Sequence, residues 1–274
     1  MASTAAVRKQ KVKRVVKSVP ARLFRLLLLC GIAFVILQPF LIRILSSFMS
    51  VEDVYDSMVK YVPRAFSFKN YSLVVTGTGY WKALFNTAMV SLLCAFLQVM
   101  VCAFVGYGLA RYKFRGRSIV FAVVIFSMIL PPQTTFISLY LNMRFFDPFM
   151  IPSVLGLTPL RLVDSPMPLF LMSATGLAFK NGLYILLMRQ LFRGLPDEIK
   201  EAAEVDGAGQ MRIYFQIMLP MASSMAVTIF MLAFSWQWTD TFYSSLFFVS
   251  NFTVLTGTLD RLQNIRIEGL TAFG

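Results

Sequence analysis

The sequence predicts an all-α integral membrane protein whose chain crosses the bilayer as five helices. Hydrophobic residues make up 57% of the 274-residue chain, and the mean hydropathy of +0.69 exceeds that of ordinary soluble domains. Several apolar stretches approach or exceed the ~20 residues that a helix needs to cross a hydrocarbon layer ~30 Å thick. Spanning helices therefore explain these stretches better than the core of a soluble domain does.

The positive charge of the chain is concentrated beside the apolar stretches. The net charge is +13, and the basic residues cluster: eight lie in residues 1–25, four in 111–117 and four in 189–212. Basic residues that flank spans mark cytoplasmic loops and attract anionic lipids. Since no basic stripe with interleaved aromatic residues is present, we expect the lipid bilayer, and no nucleic acid, as the partner of these cations.

The N-terminal part is predicted to be a basic cytoplasmic tail, residues 1–22, followed by a transmembrane domain over 23–274. The first span, at about 23–45, is longer than the apolar core of a signal peptide and lacks a clear small-residue cleavage site, so we expect it to be retained. The loop over 46–85 has nearly equal numbers of cations and acids. That balance favours the outer side of the membrane.

The second and third spans are predicted at about 86–110 and 118–141. The turn between them, 111–117, is short and strongly basic, which is typical of a cytoplasmic turn. Pro131 and Pro132 interrupt helical hydrogen bonding, so we expect the third span to kink or end near the outer face.

The fourth and fifth spans are predicted at about 169–191 and 219–240, joined by a long cytoplasmic loop over 192–218. Lys180 lies near the middle of the fourth span, which predicts that one face of this helix meets protein or water. Residues 241–259 are uncharged. They predict either a re-entrant loop on the outer side or a weak sixth span.

The loop over 192–218 begins with the signals of a helix. Pro196 suits the first helical position, and Asp197 and Glu198 complement the positive end of the helix dipole. Three residues at helical spacing form one small-residue face: Ile199, Ala202 and Ala203.

Two glycines predict that this helix ends in a reversal. Gly207 and Gly209 can adopt the backbone conformations that end a helix, and a second short helix at about 210–219 would return the chain to the membrane. Such a helix-turn-helix suits docking in a groove of a partner protein. By amphipathicity alone, an ordinary polar loop between spans is the simpler interpretation.

The residues of this loop resemble a specific family motif. They match at every position the EAA motif of binding-protein-dependent ABC importer permeases, at Glu201, Ala202, Ala203, Gly207, Ile217, Leu219 and Pro220. Most of residues 23–260 is similar to the MalG-like branch of carbohydrate importers. The further matching features are Phe85-Asn86-Thr87, residues 106–116, Leu130 to Gln133, Leu139-Tyr140, Arg189-Gln190, Trp238 to Asp240 and Phe242.

The resemblance implies a type I ABC importer fold and an assembly of several chains. This chain would lie beside a second, MalF-like permease in the bacterial cytoplasmic (inner) membrane, between an ABC ATPase dimer and an extracytoplasmic solute-binding protein. The seven motif residues would form the coupling helix in a cleft of the ATPase. Closure of the ATPase dimer would then switch the permease by alternating access and import a carbohydrate.

Two features depart from the family pattern. Thr239 stands where the family usually has asparagine between Trp238 and Asp240. The family also has a final span beyond residue 260 with a short cytoplasmic tail, for which the chain leaves too little length. We expect either that the chain is truncated after Gly274 or that 241–259 replaces the last span.

The sequence contains no group suited to catalysis or metal binding. There is no histidine, and Cys30, Cys94 and Cys102 lie in apolar stretches without a CxxC pair, which predicts packed thiols. No GxxxxGK[ST] phosphate-binding loop occurs. We therefore expect a transport subunit that is not an enzyme and holds no cofactor, with ATP and Mg²⁺ bound by the partner ATPase.

Polar and aromatic residues in the spans are candidates for the solute pathway. Sugars favour aromatic faces beside amides and hydroxyls, and the candidates are Asn86, Thr87, Gln98, Asn181, Trp236 and Gln237. For each of them, packing between helices or anchoring at the membrane interface is the alternative.

The sequence is also compatible with two other functions. The same machine could carry another small solute, such as a polyamine or a phosphonate. A channel or a membrane scaffold would use the cytoplasmic loop merely as an interaction site. A proton-coupled transporter is disfavoured because Asp240 is the only acid within or at the edge of the spans.

Overall fold

The computed structural model describes residues 2–56, 58–59, 61–77, 79–148, 154, 156, 158–248 and 252–258. Within these residues every regular element is a helix, apart from an isolated β-bridge between Phe146 and Leu160. The predicted all-α class is therefore confirmed. The chain divides into two compact units, Met1–Thr78 and Gly79–Gly274.

The N-terminal unit is dominated by one helix of 46 residues, α1 (Ala2–Ser47). Its segment Arg22–Ser47 is long enough to cross a membrane, and the mean hydropathy of an 18-residue window within it is 2.3. Apolar side chains all along this segment are exposed, as expected of a helix whose neighbours are lipids or another subunit. Cys30, which we predicted to be packed, is exposed for the same reason.

After α1 the chain returns to the end of that helix through α2 (Val51–Tyr55) and α3 (Lys69–Gly77). The ring of Phe48 lies 5.5 Å, between centroids, from the rings of both Phe68 and Tyr71. Edge-to-face and tilted contacts between aromatic rings are favourable beyond the area they bury. They order the loop that the sequence assigns to the outer side.

The second unit contains the other helices, most of which surround α4. Their bounds are α4 Tyr80–Arg111, α5 Arg117–Ile129, α6 Pro132–Arg144, α7 Met167–Ala174, α8 Asn181–Gly194, α9 Asp197–Val205, α10 Gln210–Ile213, α11 Leu219–Met221, α12 Ser223–Trp238 and α13 Phe242–Phe247. A π-helical turn, Tyr214–Met218, joins α10 to α11. Helices α7, α8 and α12 pack on α4, whose fully buried residues in the middle are small: Cys94, Ala95, Cys102 and Ala103.

Helix α8 approaches its neighbours closely at two glycines. A Cβ atom at Gly106 of α4 would lie 2.7 Å from Cβ of Met188 and 3.0 Å from the main-chain nitrogen of Arg189. A Cβ atom at Gly182 of α8 would lie 2.9 Å from the main-chain oxygen of Val124 on α5. Both glycines therefore permit a helix separation that no larger residue allows.

The segment predicted as the third span is broken at its prolines, as expected. Helix α5 ends at Ile129, α6 begins at Pro132, and the two axes differ by 103°. Pro131 precedes α6 in an extended conformation with ψ of 135°. Proline has no main-chain N–H to donate to the helical hydrogen bond that a continuous helix would need, so the chain turns here.

The segment predicted as the fourth span is two helices, α7 and α8, rather than one. Gly176 has a φ of +79°, and the N–H of Leu177 donates to the main-chain oxygen of Met172 at 2.9 Å. A left-handed glycine with this hydrogen bond ends a helix. Hydropathy does not register the break, because the residues around it remain apolar.

Judged by the length of the described helices, the structure contains fewer spans than the sequence predicts. Among the described residues, α1 and α4 can each cross a membrane alone, and each of two bent helix pairs could form one more span. The second pair, Gln210–Met221 and Ser223–Trp238, bends by 75°. The predicted count of five is therefore not confirmed.

The described part of residues 241–258 does not span the membrane. Helix α13 has six residues, about 9 Å in length, far short of a bilayer. The chain then returns to α4: the Asn86 amide donates to the main-chain oxygen of Thr253, and the N–H of Leu255 donates to Oγ1 of Thr87, each at 2.9 Å. The segment that a last span would need, 259–274, lies outside the described residues.

Candidate functional site

Helix α9 forms where the sequence predicts a helix, between α8 and α12. Pro196 precedes it with a ψ of 140°, and Asp197 and Glu198 occupy its first turn, where carboxylates face the positive end of the dipole. Ala203 is its one described residue in the buried class, at 7% exposure. The helix therefore rests on the protein through a small side chain and exposes most of its length.

The turn after α9 is made by Gly207, whose φ is +76°. The N–H of Gly207 donates to the oxygen of Glu204 at 3.0 Å, and the N–H of Ala208 to the oxygen of Ala203 at 2.9 Å. This pair of bonds is the Schellman motif, which requires a left-handed residue after the helix. Gly209, with a φ of −68°, is not needed for it.

The chain returns to the membrane helices through a shorter, less regular element than the helix predicted at 210–219. Helix α10 has four residues, and the π-helical turn has five. The buried ring of Tyr214 lies 5.5 Å from that of Phe104 and 5.1 Å from that of Tyr107, between centroids. We attribute the wider turn to the packing of this ring. Residues 195–221 are hereafter called the hook.

Arg111, at the end of α4, holds the hook in place. Its side chain is 5% exposed, forms an ion pair with Asp197 and donates to the main-chain oxygen of Leu195 at 2.7 Å. The Tyr112 hydroxyl donates to Oε1 of Gln210 at 2.7 Å. The sequence identifies Arg111 only as one of a basic cluster, since no local pattern pairs it with a residue 86 positions away.

Glu204 connects the two limbs of the hook. Its Oε1 accepts a hydrogen bond from Nε2 of Gln210 at 2.8 Å and lies 3.2 Å from Nζ of Lys200. The bonds from Gln210 and then Lys200 hold the pKa of the Glu204 carboxyl below its ordinary value. Because the folded pKa is the lower one, this contribution is present at neutral pH and is lost as the pH falls through that lowered pKa.

The seven predicted coupling residues divide into two groups. Four are exposed: Glu201, Ala202, Gly207 and Pro220. Three pack against the core around α4 and α8: Ala203, Ile217 and Leu219. The first group is accessible to a partner, and the second anchors the hook.

Three large apolar side chains near the hook's reversal are also exposed. They are Val205 at 88%, Met211 at 59% and Phe215 at 49%. No sequence signal predicts them, because isolated apolar residues in a loop form no periodic pattern. Exposed apolar side chains of this size beside a tight turn are typical of an interaction surface.

We predict that Arg111→Met loosens the hook while α4 stays folded. The change removes the ion pair and leaves the Leu195 carbonyl without its charged donor, which costs about 1–3 kcal/mol. Amide hydrogen exchange over residues 197–213 should accelerate about tenfold. Arg115→Met is the matched control, since Arg115 is exposed in the same basic turn; equal exchange in both variants would contradict the assignment.

A cavity of about 60 Å³ lies between α4, α12 and the break that separates α7 from α8. Three of the predicted pathway residues line it: Gln98, Trp236 and Gln237. Lys180, Asp240 and Tyr243 line it as well, beside apolar residues of α7 and α8. Its volume is room for about four waters.

Two charged side chains of this cavity have different surroundings. The Lys180 ammonium lies 4.6 Å from the ring centroid of Phe179 and 4.3 Å from that of Trp236. The Asp240 carboxylate accepts from the N–H of Tyr243 at 3.2 Å and from the N–H and hydroxyl of Ser244 at 2.8 and 2.9 Å. Asp240 therefore holds the start of α13, whereas Lys180 is in contact with aromatic faces.

The other three predicted pathway residues lie elsewhere. Asn86 and Thr87 are buried and bind the main chain of residues 253–255, although Thr87 also lines a neighbouring cavity of about 10 Å³. Asn181 is fully buried, and its side-chain amide has no hydrogen-bond partner among the described residues. No group of His, Cys, Asp and Glu suited to a metal occurs in that part of the chain.

Comparison with known proteins gives a family match over most of the second unit. Residues 98–272 match the model of the family described as binding-protein-dependent transport system inner membrane component. A probable ABC transporter permease protein of Pyrococcus horikoshii is 30% identical over 223 residues, 81% of this chain and 74% of the relative. The alpha-glucoside transport system permease protein of Rhizobium meliloti is 28% identical over 74% of this chain, which spans about half, 51%, of that relative.

A solved structure has the same fold. A chain from the crystal structure of a bacterial ABC transporter involved in the import of the acidic polysaccharide alginate superposes with a TM-score of 0.71. The match covers 89% of this chain and 79% of the other, at 21% identity. At that identity the likeness concerns the fold alone.

Proposed function

Because the chain belongs to the family of binding-protein-dependent transport system inner membrane components, we propose that it moves a carbohydrate into the cytoplasm as the transmembrane subunit of an ATP-driven ABC importer. Members of this family are permeases, not enzymes, and a separate ATPase hydrolyses ATP. ATP and Mg²⁺ would bind to that ATPase, and no cofactor to this chain.

The hook is the observation that carries this proposal. Its Schellman turn holds Glu201, Ala202 and Gly207 on an exposed surface next to the apolar side chains of Val205 and Met211. Exposed apolar side chains on a segment that also carries exposed acids suit contact with a groove of a second protein. The partner to which we assign this surface is the ATPase.

A path of direct contacts supports coupling by rigid-body motion. A push on α9 reaches the end of α4 through the pairing of Asp197 with Arg111. About three and a half turns further along the same helix, Gln98 lines the cavity. In this proposal, closure of the ATPase moves one wall of the solute pathway, as alternating access requires.

The proposed assembly contains an ABC ATPase dimer, a second MalF-like permease and an extracytoplasmic solute-binding protein. We place the chain in the bacterial cytoplasmic (inner) membrane with its N-terminus in the cytoplasm and five spans, on the basis of the basic segments 1–25 and 111–117. Exposed apolar residues on α4 suit lipid or the second permease: Leu92, Phe96 and Phe104.

The cavity supports a carbohydrate as the solute. It combines the Trp236 ring with the amides of Gln98 and Gln237, and sugar rings bind aromatic faces while their hydroxyls bind amides. The alpha-glucoside permease among the relatives is consistent with this chemistry. A polyamine is disfavoured because Lys180 would repel it.

Co-purification tests the coupling assignment. When the chain is purified in mild detergent from cells that hold the whole transporter, we expect an ATPase and a second permease to accompany it. Glu201→Lys should lower recovery of the ATPase at least tenfold. Glu52→Lys, the same charge reversal in the N-terminal unit, should not, and undiminished recovery with Glu201→Lys would refute the proposal. Uptake that needs no ATP hydrolysis would favour a channel.

A further inference from the structure

Lys180 occupies a position where a cation is costly. It precedes α8, whose 14 residues lead to the hook and measure about 21 Å. With the hook in the cytoplasm and α8 running across the membrane, Lys180 would lie well inside a hydrocarbon layer about 30 Å thick. Ionisable residues at such depth are rare and face an interior cavity with a functional partner.

The ammonium of Lys180 has no anionic or hydrogen-bonding partner among the described residues. Its contacts there are the faces of Phe179 and Trp236, which attract a cation electrostatically but accept no conventional hydrogen bond. A lysine ammonium carries three N–H donors. All three are therefore available to a ligand.

Asp240 does not neutralise this cation directly. Both of its carboxylate oxygens accept hydrogen bonds from Tyr243 and Ser244 at the start of α13, and it forms no salt bridge with Lys180. If Asp240 turned towards Lys180, the N–H groups of Tyr243 and Ser244 and the Ser244 hydroxyl would lose their acceptor. In this cavity the Asp240 carboxylate is therefore already hydrogen-bonded, whereas the Lys180 ammonium has donors free for a ligand.

The groups around Lys180 suit the rest of a sugar acid. Gln98 and Gln237 supply amides, and the ring of Trp236, which is 53% exposed, extends beyond the cavity. The cavity, with room for about four waters, accommodates a carboxylate or phosphate group. The uncharged part of the solute would lie against the aromatic rings at the cavity mouth.

We propose that Lys180 and its cavity bind the anionic group, a carboxylate or a phosphate, of an acidic carbohydrate that the transporter carries. This inference rests on the proposed function and specifies its substrate class. Lys180 is a specificity-determining residue here: the ammonium donates to the anion while Phe179 and Trp236 hold it in position. Charge-assisted hydrogen bonds of this kind are about twice as strong as neutral ones.

Uptake by the complete transporter in proteoliposomes tests the proposal with two matched pairs of labelled probes. Digalacturonate and digalactose differ by their carboxylates, and glucose phosphate and glucose by the phosphate. We expect ATP-dependent uptake of one anionic probe to exceed that of its neutral partner at least tenfold, and the pair that responds identifies the group. Lys180→Met should lower this preference about tenfold, and Lys180→Arg should restore most of it.

Lys82→Met is the control for loss of a cation, because Lys82 is exposed at the start of α4; its uptake should match that of the unmodified chain. Equal uptake of neutral and anionic probes, no uptake of either anionic probe, or a preference unchanged by Lys180→Met would each overturn the anionic site. If the ATPase still co-purifies, the proposed function stands. If the unmodified protein neither associates with an ATPase nor supports ATP-dependent uptake, the proposed function is overturned as well.

Discussion

Replacement of Gly207 by valine is expected to abolish ATP-driven transport while leaving the chain inserted in the membrane. At a φ of +76° a β-branched residue is strained, by about 1–2 kcal/mol or more. The two hydrogen bonds of the Schellman turn depend on that conformation, and each is worth about 1 kcal/mol. The turn should therefore open and α9 should lose its position against the ATPase.

The effect at Gly207 comes from backbone conformation and not from a clash. A Cβ atom there would meet nothing within 4 Å, and the same is true of Gly209, whose φ is −68°. Gly209→Val is therefore the matched control and should keep most ATP-dependent uptake. Gly207→Asn should retain more activity than Gly207→Val, since asparagine tolerates the left-handed region. Equal uptake by the two valine variants would show that the turn is unnecessary for coupling.

Replacement of Gly106 by alanine is expected to destabilise the second unit by about 1–3 kcal/mol, the usual cost of overpacking a tight core. The new methyl would lie 2.7 Å from Cβ of Met188, 3.0 Å from the nitrogen of Arg189 and 3.2 Å from the oxygen of Ile185. Two of these atoms belong to the main chain of α8. They cannot move away without displacing the whole helix.

Gly108 provides the control for Gly106 on the same helix. A Cβ atom at Gly108 meets nothing within 4 Å, and alanine favours a helix over glycine by about 1 kcal/mol. In detergent, thermal unfolding should occur at a lower temperature for Gly106→Ala and at an equal or higher one for Gly108→Ala. Shifts of the same sign in both variants would mean that the contact between α4 and α8 is looser than the structure indicates.

Local signals in the sequence predicted the helix and reversal of the hook and the break at Pro131. Each of these depends on residues a few positions apart: a proline with acids at a helix start, a glycine after its end, a missing main-chain donor. The break between α7 and α8 was missed. Gly176 ends a helix as Gly207 does, but apolar residues on both sides concealed it.

The candidate solute site shows that residue type alone does not predict which polar residues line a binding cavity. Gln98, Trp236 and Gln237 do meet at one cavity, whereas Asn86 and Thr87 use their hydrogen bonds to hold residues 253–255. An amide in an apolar helix has the same local sequence signal in both cases. Only its neighbours from distant parts of the chain distinguish packing from a binding surface.

By itself the sequence determined that this chain is helical, belongs in a membrane and carries the motif of an ABC importer permease. These properties follow from composition, spacing and short patterns, which are local. The tertiary structure alone decided that Arg111 meets Asp197, that α4 and α8 touch at Gly106, and that Lys180 meets the ring of Trp236. Such contacts join residues far apart along the chain, and no local energy term specifies which distant partner a buried cation or a glycine will face.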